Sequence, residues 1–156
     1  MEFDSDVYLL SEDFRNAYPQ AIYPELMSKG GRPYNCLLID AHDDYLICIP
    51  YRSSINHKNA YLFKNSLRSR QARSGLDFSK IVLIKNPNYI DEKKAIIDRD
   101  EYTETMSNLP IIASMAVEYV DRYIEHVKGK KVLHPQDFTR KYGYSTLIYF
   151  HDILLS

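Results

Sequence analysis

The stretch YNCLLIDAHDDYLICIP, residues 34–50, decides the fold. Residues 34–40 and 45–49 are apolar runs of strand length. The polar residues 41–44 between them read as a hairpin turn. Both runs are apolar on both faces, so the hairpin is expected at the centre of its sheet. His42, at the tip, reads as plain turn chemistry. Pro50 is expected to stop the second strand, because it has no N–H to donate to a ladder. Pairing about residues 41–44 brings the start of the first strand beside the end of the second. Arg32 and Tyr34 are therefore expected near residues 50–53.

The loop after Pro50 is dense in polar chemistry: Arg52, Ser53, Ser54, Asn56, His57, Lys58 and Asn59. A buried strand that delivers hydroxyls, an imidazole and cations into one loop can build a site. The charge pattern points the same way. The whole chain carries a formal net charge of −1. Residues 51–80 hold seven Lys or Arg (Arg52, Lys58, Lys64, Arg68, Arg70, Arg73, Lys80) and one acid, Asp77. That segment is net +6, which leaves −7 for the rest. It is a candidate basic face for a polyanion, or a solvated charged loop.

Outward from the hairpin, residues 7–10 read as a short strand. Ser11 then reads as a helix N-cap, with Glu12 and Asp13 in the first turn. That helix must end by Tyr18, since Pro19 comes next. Residues 19–33 hold three prolines and Gly30-Gly31, and read as loop. Residues 60–64 form a third strand candidate, 65–76 a polar connection and 78–84 a fourth strand. Residues 95–97 suggest a short fifth. Residues 98–107 read as a short helix. The clearest helix starts at Asn108 and Pro110. Ile112, Met115, Ala116, Tyr119, Val120, Tyr123, Ile124 and Val127 recur at helical spacing, and Gly129 suits the C′ position. Residues 135–142 read as another helix, and 146–155 as either helix or strand. Strands early and helices late make an α+β fold. At 156 residues the chain is expected to form one domain, residues 1–156.

The start of the chain is acidic and lacks the basic region of a secretory signal. No apolar run approaches the roughly 20 residues of a membrane span. A cytoplasmic location is expected. Cys36 and Cys48 sit in apolar runs without a neighbouring cation, so they read as buried thiols. The cysteines and histidines show no zinc spacing. The composition is rich in tyrosine, with 14 Tyr and no Trp. Those rings suit sheet packing or base stacking.

The order Arg32-Pro33-Tyr34, apolar strand, second apolar strand to Pro50, Arg52-Ser53-Ser54 and His57-Lys58 resembles a known family. It is similar to the ToxN-like endoribonucleases, toxins of type III toxin–antitoxin systems, and most closely to their TenpN branch. The strand at 78–84, the long helix and the run Asp137-Phe138-Thr139-Arg140-Lys141-Tyr142 fit the same order. The resemblance implies a strongly twisted antiparallel sheet with flanking helices, Kid/MazF-like and built as an SH3-like barrel. It implies sequence-selective RNA cleavage that leaves a 2′,3′-cyclic phosphate and a 5′-hydroxyl. It implies a small repeat RNA as antitoxin, a protein–RNA hetero-oligomer, and cellular or phage RNA as substrate.

One departure matters. ToxN has a lysine just before the first hairpin strand, and Thr-Ser then Lys in the second motif. Here those places hold Arg32 and Arg52-Ser53. Arginine stays protonated and cannot serve as a general base. His57 becomes the candidate, because imidazole is the side-chain type suited to proton transfer near neutral pH. The expected catalytic set is Arg32, Arg52, Ser53, Ser54 and His57. The arginines would neutralise phosphorane charge, and the serines would bond phosphate oxygens. The expected RNA-binding set is Tyr34, Lys58, Asn59, Lys64, Arg68, Arg70 and Arg73. Residues 45–76 contain no Asp or Glu, so neither a metal nor another cofactor is expected at this loop. Two other readings stand beside this one. The first is an RNA-binding module without catalysis. The second is a MazF-like toxin with a protein antitoxin.

Overall fold

A computed structural model describes residues 1–27 and 30–156. Residues 28 and 29 of the expected loop lie outside the described residues. The fold is α+β, with one antiparallel seven-stranded sheet and several helices.

β1 (Phe3–Leu10) runs into α1 (Glu12–Ala17). Ser11 caps that helix by accepting from the Phe14 amide at 3.3 Å, as Ser at an N-cap does. β2 (Pro33–Ile39) and β3 (His42–Arg52) form the central hairpin. β4 (Ala60–Leu62), α2 (Leu67–Gln71) and β5 (Gly75–Asp77) come after it. Then come β6 (Val82–Ile84) and β7 (Ile90–Lys94). The helical part is α3 (Arg99–Ser107), α4 (Leu109–Val127), α5 (Pro135–Tyr142) and α6 (His151–Leu154).

The strand order is β4-β5-β3-β2-β1-β7, with β6 also on β3. The sheet is open, with β4 and β7 at the two ends of that order. β3 is its spine. One edge of β3 pairs with β2 from Tyr34↔Pro50 to Ile39↔His42. The other edge is divided. Leu46 to Cys48 pair with β6, and Tyr51 and Arg52 pair with β5.

Several expectations are corrected. Pro50 does not stop β3, which continues to Arg52. Pro50 falls between the β6 and β5 pairings, so no ladder bond on that edge needs its missing N–H. The turn is tighter than residues 41–44, because Ile39 already pairs with His42. Residues 78–84 are not one strand. Residues 78–80 form a 3₁₀ turn, capped by Asp77 accepting from the Ser79 amide. Residues 95–97 are not a strand; the edge strand is the polar β7 just before them. The stretch from Thr146 is 3₁₀ helix running into α6.

Cys36 and Cys48 are not free thiols. They face each other across the hairpin and are joined as a disulfide. The hairpin register does this: a separation of 12 in sequence becomes direct opposition in space.

His42 is more than turn chemistry. Its Nε2 lies 2.7 Å from Asp121 Oδ1 of α4, and its Nδ1 lies 2.8 Å from the Tyr45 hydroxyl. The imidazole therefore ties the hairpin tip to the long helix. His42→Ala should cost about 1–3 kcal/mol, because the Tyr45 hydroxyl would lose its partner. A urea midpoint equal to the parent's would show that the tip needs no tie.

α4 buries Ile112, Ala113, Ala116, Tyr119, Val120 and Tyr123, the face its spacing predicts. Each large side chain contributes about 1.5–3 kcal/mol of burial. Its C-terminus turns at Gly129, whose φ of 72° lies in the left-handed region. Many of the tyrosines are packing residues. Tyr119, Tyr123 and Tyr142 form one ring cluster, and Tyr18, Tyr23 and Tyr89 form another with Phe14. No described helix is long and apolar enough to cross a membrane.

Candidate active site

The site is built where β3 ends. Arg32 stands just before β2, and its Nη1 donates to the Tyr51 carbonyl at 3.0 Å. Antiparallel pairing therefore joins the two polar clusters that lie 20 residues apart at Arg32 and Arg52. Arg52 Nη1 donates to Asp77 Oδ2 at 2.7 Å, and Asp77 is fully buried. The β3–β5 ladder makes this meeting possible, since Arg52 pairs with Gly75. Gly75 has to be small: a Cβ there would run into the Tyr61 carbonyl of β4.

Asp77 holds more than Arg52. Its Oδ1 accepts from the Ser79 amide at 2.9 Å and from Ser79 Oγ at 2.6 Å. His57 Nε2 lies 3.2 Å from the same oxygen and 3.3 Å from Ser79 Oγ. The Asn59 amide donates to His57 Nδ1 at 3.0 Å. This network assigns the lone pair to Nδ1 and the ring proton to Nε2, facing Asp77.

Arg52 and Arg68 both stand close enough to act on Arg32. Burial lowers the Arg32 guanidinium from its usual range. Tyr34 opposes that shift, and the cations Arg52 and Arg68 add to it. Arg32 still remains cationic at neutral pH. Ser53 is half-buried and Ser54 exposed, in the turn that leaves β3. Ser54 takes a φ of 56°, uncommon outside glycine. The buried Ile55 anchors that turn, its amide donating to the Arg73 carbonyl at 2.8 Å.

The remaining expected residues divide. Tyr34 lies in the core at 1% exposure, and its hydroxyl donates to the Met27 carbonyl. Its ring has no open face for a base, and burial raises its phenol well above the usual range. Asn59 is a tie: its side chain donates to the Lys141 carbonyl at the end of α5. Lys58, Lys64, Arg70 and Arg73 lie at the surface between β3 and β5. Arg68 is half-buried and paired with Glu101 at 2.7 Å.

Sequence reasoning missed the carboxylates. The basic segment meets acids from elsewhere in the chain. Glu101 accepts from Arg68, Ser66 and Ser74. Glu104 accepts from the Lys64 and Asn65 amides and the Tyr61 hydroxyl. Lys80 pairs with Glu25 at 2.7 Å. The expected unneutralised basic face is therefore smaller than the residue count implies. Glu101 and Glu104 stand three apart on α3, so they share one helix face, a spacing visible in the sequence. The lone acid Asp77 in a basic run was a second visible signal. Among the described residues no three His, Cys, Asp or Glu are grouped as a metal ion requires.

The fold and site together define an α+β domain whose central hairpin presents clustered arginines at one end. Comparison with protein-family models, curated proteins and solved structures finds no match.

Proposed function

We propose that this chain is the toxin of a type III toxin–antitoxin system. In this reading it is a metal-independent endoribonuclease, held inactive by a small structured repeat RNA in a protein–RNA hetero-oligomer. It acts on cellular or phage RNA in a bacterial cytoplasm, on a sheet related to the Kid/MazF barrel. The observation that carries the reading is the meeting of Arg32 with Tyr51 and Arg52 at the end of the hairpin. That end offers fixed positive charge, with serine hydroxyls in the adjoining turn, which is what a phosphodiester in transition needs.

The chemistry is set by the residues. The RNA's own 2′-hydroxyl attacks the adjacent phosphorus, and the 5′-oxygen leaves. The products are a 2′,3′-cyclic phosphate and a 5′-hydroxyl. Arg32 and Arg52 stabilise the phosphorane, and Asp77 fixes the Arg52 fork. Ser53 and Ser54 bond phosphate oxygens. His57 gives up its Asn59 contact and takes the 2′-hydroxyl proton on Nδ1, and the departing 5′-oxygen takes a proton from water. Lys58, Lys64, Arg70 and Arg73 track the backbone as surface cations.

Incubating RNA with the protein in excess EDTA should give those end groups. A 2′-O-methyl group at the cut should block it. Arg32→Ala should lower kcat about 100-fold. Arg32→Lys should lower it less, since lysine keeps the charge but not the fork. His57→Ala or Ser53→Ala should relieve growth arrest when the protein is expressed alone. Dependence on magnesium, or a 3′-hydroxyl product, would sink the mechanism.

One observation favours a second reading, RNA binding without cleavage. Both ring nitrogens of His57 already have protein partners. Salt-sensitive RNA binding with no cut ends would select it. Purification with a protein partner and no RNA would instead select a MazF-like toxin with a protein antitoxin.

A further inference from the structure

A cleft of about 300 Å³ opens beside Arg32. Its lining includes Arg32, Tyr51, Arg68, Ile96, Ile97 and Asp98. The volume sits at the low end of small-ligand sites, about 300–1,000 Å³. It suits a single nucleotide unit and excludes a duplex.

The lining holds three kinds of chemistry. The first is the positive charge of Arg32. Arg52 and Arg68 each have a carboxylate partner, whereas Arg32 has no ion-pair partner among the described residues. Its enclosed Nε also lacks an acceptor there. A half-buried guanidinium without a counter-charge is costly, and an anionic ligand offsets that cost. Arg68 gives Nε and Nη2 to Glu101, and its Nη1 makes no hydrogen bond among the described residues. The second is the carboxylate of Asp98. It is exposed, and although it occupies the N-cap of α3, its side chain makes no capping bond. The third is apolar: Ile96 is 89% exposed. A large aliphatic side chain held open to water at the lip of a cleft is a ready wall for a flat apolar face.

Positive charge, apolar side chains and a carboxylate in one lining match phosphate, base face and base edge. A bare phosphate would leave Asp98 and the isoleucines without a role. We propose that this cleft is a specificity pocket for one unpaired guanosine nucleotide. Its phosphate lies on Arg32 and Arg68, its base lies against Ile96 and Ile97, and its Watson–Crick edge donates to Asp98. Guanine is the base that presents two adjacent N–H donors on that edge, matching the two oxygens of a carboxylate. The inference rests on the reading of this chain as an RNA-directed protein, and it adds which base the protein reads.

Binding of fully 2′-O-methylated pentanucleotides, varied one position at a time, tests it apart from cleavage. The parent protein should prefer guanine at one position by tenfold or more. Asp98→Asn should erase that preference, by weakening the guanine oligonucleotide and leaving the other three within twofold. Ile96→Ser, at a site too exposed to disturb folding, should weaken all four bases at that position about threefold. No binding, no base preference, or a preference that survives Asp98→Asn would overturn the pocket. Unmethylated oligonucleotides run alongside report on the nuclease. Preference without cut ends removes the nuclease and keeps the pocket. Cut ends whose position ignores Asp98→Asn keep the nuclease and remove the pocket.

Discussion

Asp77→Ala should lower stability by about 3 kcal/mol, the lower end of what breaking a buried pair costs. It should also abolish any activity that depends on Arg52. Asp77 is fully buried and serves Arg52, Ser79 and His57 at once. Removing it strands a guanidinium and three donors, the Ser79 amide, the Ser79 hydroxyl and the His57 ring N–H. The cost stays at the low end because Arg52 remains 29% exposed and water can reach it. Asp77→Asn should be milder in folding, since an amide oxygen still accepts from Ser79. It should be nearly as damaging to function, because the charge that fixes the Arg52 fork is gone. Urea unfolding monitored by circular dichroism separates the two effects. An alanine variant with the parent's midpoint would show that Asp77 does not pin β5 to β3.

Alkaline unfolding should be early and steep. Burial raises the phenols of Tyr34, Tyr45, Tyr51, Tyr119, Tyr123 and Tyr142 above the ordinary value of 10.0, with Tyr123 pushed up to about 12. In the unfolded chain these groups lose protons near pH 10, while in the folded chain they keep them. Above that pH the unfolded state therefore binds fewer protons, and stability falls as pH rises. Below pH 10 both states are protonated and the contribution is complete. Each of the deepest rings, Tyr34 and Tyr119, should cost about 1.4 kcal/mol per pH unit above 10. A few such groups together exceed the total stability of an ordinary domain, about 5–15 kcal/mol. Absorbance at the phenolate band and far-ultraviolet circular dichroism should change together above pH 10. Phenolate appearing well before the fold is lost would show that the rings are open to water.

The central hairpin, α4 and α5 were legible because their signals are local. Apolar runs, Ser11, Pro110 and Gly129 each act on their own neighbours. The meeting of Arg32 with the end of β3 was legible too, since a hairpin fixes which residues face each other. The misread parts depend on distant partners. Residues 78–84 carry enough apolar character for a strand, but Asp77 and Ser79 bond each other locally and bend the chain. Pro50 reads as a stop until β5 and β6 are known to divide the far edge of β3. Cys36 and Cys48 read as thiols from their surroundings, although the same hairpin that aligned Arg32 also aligned them. The carboxylates Glu101 and Glu104 could be grouped on one face, yet nothing in sequence said that this face would meet residues 61–74.

The divided edge of β3 also bears on how the molecule opens. β5 joins the spine at only two residue pairs, Tyr51↔Leu76 and Arg52↔Gly75, and β4 reaches the sheet through β5 alone. The segment they enclose, residues 63–74, is held to α3 chiefly through Glu101 and Glu104 rather than through a ladder. Such a unit can detach without melting the β1–β2–β3 core, as cooperative sub-globular units do. Amide hydrogen exchange should resolve two populations. Protons of residues 61–75 should exchange by an opening well below the global free energy, and those of residues 35–48 only by global unfolding. Lys64, Arg70 and Arg73 thus belong to the part of the protein that breathes, while Arg32 and the rest of the hairpin remain with the part that does not.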